Sequence, residues 1–141
     1  FVFFPGANIL ATGDLFTVGR YPVLDWSTGG WMGSYNDASM QPTGGVAEAC
    51  ATLVKLGDAQ THVIPSIGPE QSKADLKAHS DMCTTMAKSF RDMMRKGMSA
   101  GDMYRAAPTK EFDAKYGDPK QFIANAYPGM WNHVRELGGI V

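Results

Sequence analysis

Short apolar runs separated by turn residues characterise the start of the chain. Val2 to Phe4 is β-branched and aromatic, which favours a strand, and Ile9 to Thr12 is a second apolar run. The intervening Pro5 to Asn8 has turn composition, so the pattern predicts a β-hairpin. From Gly13 to Gly45 the periodicity is lost among seven glycines and two prolines. We therefore expect a long irregular loop there, of the kind that usually contacts something.

Helical periodicity dominates the rest of the chain. Val46 to Leu56 carries apolar residues at helical spacing, with Gly57 as a cap, and Thr61 to Pro65 predicts a strand. The clearest helix begins near Ser72 and continues to the basic turn Lys96-Gly97. Its predicted buried stripe consists of Leu76, His79, Cys83, Met86, Phe90 and Met93.

Capping signals predict two shorter helices after this long one. Ser99 with Asp102 resembles a capping box. Asp118 followed by Pro119 predicts the start of the last helix, with Asp as the N-cap and Pro at the first helical position. Pro128 and Gly129 predict an interruption of that helix.

Composition indicates one globular domain. The chain has 141 residues, of which 44% are hydrophobic and 19% charged. A net charge of −1 makes nucleic acid a poor candidate partner. No apolar run approaches the roughly 20 residues of a transmembrane helix. The chain begins at Phe1, in what the pattern indicates is the middle of a strand, which suggests a processed or cut protein. The cellular compartment stays open.

Cysteine, histidine and methionine spacing offers no metal site by itself. Cys50 and Cys83 can form at most one disulfide, and without a Cys-x-x-Cys pair a thiolate zinc site is unsupported. His62, His79 and His133 show no ligand spacing, which favours structural or exposed roles. Four of the nine methionines lie at helical core spacing, which favours packing. These four are Met82, Met86, Met93 and Met94.

Asp14 is the residue most indicative of chemistry. It follows a short apolar strand and a glycine, so its carboxylate is expected at the strand's carboxyl end, where α/β layers place their sites. The plain alternative is an aspartate that caps the following turn.

The stretch from Ile9 to Phe16 resembles the strand that delivers the metal-bridging aspartate in the metallo-β-lactamase superfamily. Gly19-Arg20-Tyr21-Pro22 and Ser27-Thr28-Gly29-Gly30 resemble the segment after that strand in one broad branch of the superfamily.

The order of the later segments extends the resemblance over nearly the whole chain. The strand Thr61 to Pro65, the helix beginning around Ala74 to His79, and the segment Glu111 to Gly117 all resemble that branch. The resemblance implies an α/β fold, as half of an αββα metallo-β-lactamase-type sandwich with short strands, a long loop and a C-terminal run of helices. Residues 1–141 would then be the C-terminal half of one domain. Residues 1–69 would hold the strands, loop and helix with the site remnant, and residues 70–141 the helical part.

Two departures from the branch reduce the implied metal site. Where the branch has a Pro-Gly-His-Gly-Pro turn, this chain has Pro65-Ser66-Ile67-Gly68-Pro69, and isoleucine offers no lone pair to a metal. The family's His-x-His-x-Asp-His cluster belongs to the N-terminal half, which the chain does not include. The resemblance implies zinc as the cofactor, and members of the family bind one or two ions. Asp14 is the candidate bridging ligand, and the number of ions in this chain is expected to be reduced or zero.

An apparent insertion from Trp31 to Thr43 distinguishes this chain from the branch. Such a loop either shapes a substrate pocket or is a surface segment without an assigned role. Trp26, Trp31 and Tyr35 need burial or a partner, which makes them candidate substrate-binding residues.

The resemblance implies two alternative functions. The first is a zinc-dependent hydrolase of an ester, lactone, amide or thioester, with a degenerate metal site containing Asp14. The second is a catalytically inactive subunit with a structural or binding role in a larger complex, which Ile67 favours. In either case half a sandwich would leave an apolar sheet face bare, so we expect the chain to pack on the missing N-terminal half or on another protein subunit.

Overall fold

A three-stranded sheet and a two-stranded hairpin make up the β-structure of a computed structural model that describes residues 1–139. The predicted hairpin at the start of the chain is confirmed. The strands in chain order are β1 (Val2–Phe4), β2 (Ile9–Thr17), β3 (Ser34–Asn36), β4 (Gln41–Thr43) and β5 (His62–Ile67). β1 pairs antiparallel with β2, and β2 pairs parallel with β5, which gives the sheet order β1-β2-β5.

Cross-strand register divides the three-stranded sheet into two faces. Phe3, Leu10 and Val63 lie opposite one another and form a row on the inner face. The outer face has two rows, because side chains alternate along a strand. These rows are Val2, Ala11, Ile64 and Phe4, Ile9, His62.

Five α-helices follow or flank these strands within residues 1–139. They are α1 (Gly45–Val54), α2 (Lys73–Arg95), α3 (Ala100–Ala106), α4 (Asp113–Tyr116) and α5 (Lys120–Asn132). Ser72 caps α2 in a capping box with Asp75, and Ser99 caps α3 in the predicted box with Asp102. The predicted stripe of α2 is buried as expected, apart from the partly buried Met93. None of the helices is both long enough and apolar enough to cross a membrane, among the residues described.

The helices cover one face of the three-stranded sheet. The inner row packs against Leu53 of α1 and Leu76 of α2. A second, larger cluster farther along α2 joins that helix to α3, α4, α5 and the segment before α1. The outer face carries exposed apolar side chains instead, including Val2, Phe4 and Ile64, which are 53%, 51% and 39% exposed. The chain is thus an α/β unit in which one sheet face is covered and one is open.

The prediction of an irregular loop from Gly13 to Gly45 is wrong in part. β2 continues to Thr17, and the β3–β4 hairpin lies inside the expected loop, against α1 and α2. Arg91 of α2 is 4% exposed and holds this hairpin through Asp37 (2.9 Å) and the Tyr35 carbonyl oxygen. The hairpin therefore depends on a contact with a residue distant in sequence, which local periodicity cannot predict.

The predicted interruption at Pro128 and Gly129 is also wrong. α5 runs through both residues to Asn132, because tertiary packing holds the helix although the proline lacks an amide hydrogen. Gly129 and Met130 are buried in this segment. At the other end, Asp118 Oδ1 accepts a hydrogen bond from the Lys120 amide (2.9 Å), but the helix begins one residue later than predicted, with Pro119 at the N-cap.

Candidate functional site

Asp14 lies on β2 immediately after an irregularity in the sheet. Gly13 pairs with Pro65 and adopts a left-handed backbone (φ +58°), and the register shifts on both sides of it. Asp14 itself is exposed to solvent. The expectation that Asp14 stands at the carboxyl end of its strand is wrong, because β2 continues to Thr17 and Asp14 lies within it, directly after a backbone bend that glycine readily adopts.

Ile67 lies at the end of the neighbouring parallel strand. It pairs with Thr17, and its carbonyl oxygen accepts a hydrogen bond from the Val18 amide (3.0 Å). The predicted turn from Pro65 to Pro69 is therefore wrong in part, because β5 continues through Ile67. Asp14 and Ile67 lie on adjacent strands of one sheet. Within residues 1–139, no group of three or more potential metal ligands includes Asp14. An exposed carboxylate fits a metal as an oxygen donor, but Ile67 does not, so these two positions alone do not make a zinc site.

The three aromatic candidates occupy different environments. Trp26 is 42% exposed, in a short 3-10 turn. Trp31 is buried and stacks on His133, with ring centroids 4.3 Å apart. Tyr35 lies on β3 beside Arg91, whose guanidinium is 5.8 Å from the tyrosine ring centre. Trp31 contributes to the core, and a substrate-binding role for any of the three stays a prediction.

A cluster of cysteine and histidine side chains lies between α1 and α2. One potential ligand atom from each of Cys50, His79 and Cys83 lies within 4.8 Å of the other two, and all three residues are fully buried. His79 and Cys83 are four residues apart on α2, so they share one face of the helix, and Cys50 faces them from α1. These three residues could hold a metal ion.

A backbone carbonyl of β2 orients the histidine of this cluster. His79 Nε2 lies 3.1 Å from the Leu15 carbonyl oxygen. Because a carbonyl oxygen can only accept, this contact places a proton on Nε2 and, in the neutral ring, leaves the lone pair on Nδ1. His79 Nδ1 is buried without a hydrogen-bond partner among the described residues. The ring thus presents an unpaired acceptor in the interior.

The two thiols are electrostatically linked. The hydrogen bond from Cys83, together with His79, lowers the pKa of Cys50, although burial acts in the opposite direction. The hydrogen bond to Cys50 and complete burial raise the pKa of Cys83. Cys50 Sγ also lies 3.4 Å from the Leu15 carbonyl oxygen.

The expectation that spacing offers no thiolate site is corrected by this cluster. The spacing of His79 and Cys83, at positions i and i+4 on a predicted helix, was the available signal. Histidine spacing alone and cysteine spacing alone do not contain this signal. Cys50 could not be assigned to the same site from spacing, because its position depends on how α1 packs on α2. Of the other histidines, His62 is exposed and paired with Glu70, and His133 follows α5.

Comparisons with known proteins give no relative for this chain: no protein-family model, no curated protein and no solved structure matches it.

Proposed function

We propose that this chain is a structural or binding layer of a metallo-β-lactamase-like assembly, which packs through its open sheet face on another protein layer. The observation that carries the proposal is the outer face of the sheet. Val2 and Phe4 on β1 and Ile64 on β5 are large apolar side chains that stand in adjacent rows and are each more than a third exposed. Contiguous exposed apolar surface of this kind is typical of an interaction site.

The layer arrangement supports the same proposal. α1 and α2 cover the inner row, so the three-stranded sheet has a helical layer on one face. In an αββα sandwich a second sheet covers the other face, as the resemblance implies. The second layer would be the N-terminal half of the domain or another subunit. Each Å² of apolar surface that it covers would contribute about 25 cal/mol.

A zinc-dependent hydrolase is the second candidate, and the position of Asp14 favours it. Asp14 lies on β2 beside the strand that ends at Ile67, the relative placement that the resemblance implies for a metal-bridging aspartate and its histidine turn. The hydrolase would act on an ester, lactone, amide or thioester. Ile67 favours the first candidate, because the turn lacks the donor that a second zinc would need.

Zinc content and hydrolysis distinguish the two candidates. The experiment measures zinc per chain and the turnover of chromogenic ester, lactone, amide and thioester substrates, for the wild type and for Asp14→Asn. A non-catalytic layer predicts that Asp14→Asn leaves both values unchanged. Loss of one zinc together with loss of turnover would establish the hydrolase instead.

The Ile67→His variant is a second test of whether Asp14 and the end of β5 form a hydrolase site. It restores the imidazole that the resemblance places in this turn, on a side chain that is 44% exposed and therefore tolerant of substitution. If the layer is non-catalytic, the variant stays inactive. A gain of bound zinc together with hydrolysis would show a hydrolase site degraded at this one position.

A further inference from the structure

We infer that Cys50, His79 and Cys83 form a binding site for one zinc ion, which joins α1 to α2 beneath the sheet. The site does not include Asp14, and the inference does not depend on the proposed function. Two sulfurs and one imidazole nitrogen are a donor set that zinc prefers. Their mutual separation of at most 4.8 Å is the observation from which the inference starts.

The geometry requires a modest closure around the ion. With Zn–S near 2.3 Å, two sulfurs in a tetrahedral site lie about 3.8 Å apart. The three ligand atoms lie within 4.8 Å of one another, so they would move by about 1 Å or less. Side-chain rotation can supply such a shift, because each donor lies at the end of a side chain and not on the backbone.

The two ring nitrogens of His79 have different surroundings, and one of them is free to bind a metal. A ligating histidine usually donates its other ring N–H to a carbonyl or carboxylate, which fixes the tautomer and the ring orientation. His79 Nε2 makes such a contact with the Leu15 carbonyl oxygen, and Nδ1 is buried and unpaired. A buried acceptor without a partner is costly, and a metal ion would satisfy it.

The net charge of the three ligands favours a divalent ion over a monovalent one. Binding releases the two thiol protons, so the site would hold two thiolates and a neutral imidazole. A divalent ion makes this set neutral, whereas a monovalent ion leaves one net negative charge in a fully buried position, which is expensive. The buried location favours a zinc ion that ties α1 to α2, and because the chain supplies three donors, the fourth tetrahedral position would be filled by a water molecule or another oxygen donor.

Metal titration of the reduced chain tests the inference. We expect the wild type to bind one zinc per chain, and cobalt(II) in its place to show thiolate-to-metal charge-transfer absorption. Cys83→Ser should weaken binding by about 100-fold or more, because it removes a first ligand where even outer-shell changes cost 10- to 100-fold. The matched controls are His62→Gln and His133→Gln, which lie outside the cluster and should leave affinity unchanged.

A measurement on the wild type tests the inference even if the Cys83→Ser variant does not fold. X-ray absorption at the zinc edge counts ligand types, and the chain has two cysteines, so two sulfur neighbours would identify this site. Zinc surrounded by nitrogen and oxygen alone would overturn the inference and indicate a site at Asp14 instead. A reduced, folded chain that binds no zinc, or one whose cobalt spectrum is unchanged by Cys83→Ser, would also overturn it. Asp14→Asn should not alter the sulfur count, which separates this test from that of the proposed function.

Discussion

At the scale of single residues, several polar side chains are buried among apolar ones, and Tyr21 shows how a specific contact stabilises such a group. Tyr21 is 6% exposed, and its hydroxyl donates to Asp113 Oδ1 at 2.7 Å. Its ring stacks on Phe122 with centroids 4.8 Å apart. Burial and the hydrogen bond to Asp113 raise the pKa of Tyr21, because both favour the neutral phenol.

This raised pKa makes stability depend on alkaline pH. An unfolded tyrosine ionises near pH 10, whereas folded Tyr21 keeps its proton to a higher pH. The unfolded state therefore loses protons first, and the stabilisation by Tyr21 is present below about pH 10 and declines above it. We expect Tyr21→Phe to cost about 1 kcal/mol at pH 8 and to reduce the slope of stability against pH above 10. Urea unfolding of both proteins at pH 8 to 11 measures this, and equal slopes would contradict it.

At the scale of elements, local signals predicted some segments and not others. α2 could be predicted because one stripe repeats over its whole length and Ser72 with Asp75 forms a cap within four residues. β3 and β4 could not, since each has three residues and Arg91 secures their hairpin from a distant helix. α5 continues through Pro128 for the same reason, since packing across the core outweighs a local helix-breaking signal.

The close approach of α5 to the segment before α1 explains the glycine in the last turn of that helix. A Cβ added at Gly129 would lie 2.9 Å from the Gly30 carbonyl oxygen and 3.3 Å from Trp26 Cβ, so the helix and this segment are in backbone contact. Gly129→Ala would gain about 1 kcal/mol of helix propensity, but the clash with backbone costs about 1 to 3 kcal/mol. We therefore expect net destabilisation by thermal or urea unfolding.

Gly101 supplies a matched control within α3. A Cβ at that position would meet its nearest neighbour, the end of the Arg105 side chain, at 3.5 Å, which is an ordinary contact. Gly101→Ala should therefore stabilise the chain by up to about 1 kcal/mol through propensity alone. Equal effects of the two alanine substitutions would refute the close approach at Gly129.

At the scale of the whole molecule, the sequence does not predict the contacts between segments that are distant along the chain. The apolar run before Asp14 predicts a strand, but β2 extends past Asp14 to Thr17, and the relation of Asp14 to Ile67 follows from a resemblance and not from periodicity. His79 and Cys83 were placed on one buried stripe, yet Cys50 joins them only through the packing of α1 on α2. The Cys50, His79 and Cys83 cluster therefore depends on tertiary structure, whereas Asp14 could be identified as a single donor from local pattern.

The open face of the sheet gives a prediction for the molecule as a whole. Phe4 and Ile64 point away from the helices, so the double variant Phe4→Lys/Ile64→Lys should lower the free energy of unfolding by less than about 1 kcal/mol. The same change should abolish binding of a hydrophobic dye and reduce self-association in sedimentation, because it places charges in both apolar rows. Val23→Lys is the control, since Val23 is 74% exposed but lies outside the sheet, and it should leave dye binding unchanged. A loss of several kcal/mol in the double variant would mean that this face is part of the chain's own core, and undiminished dye binding would place the interaction surface elsewhere.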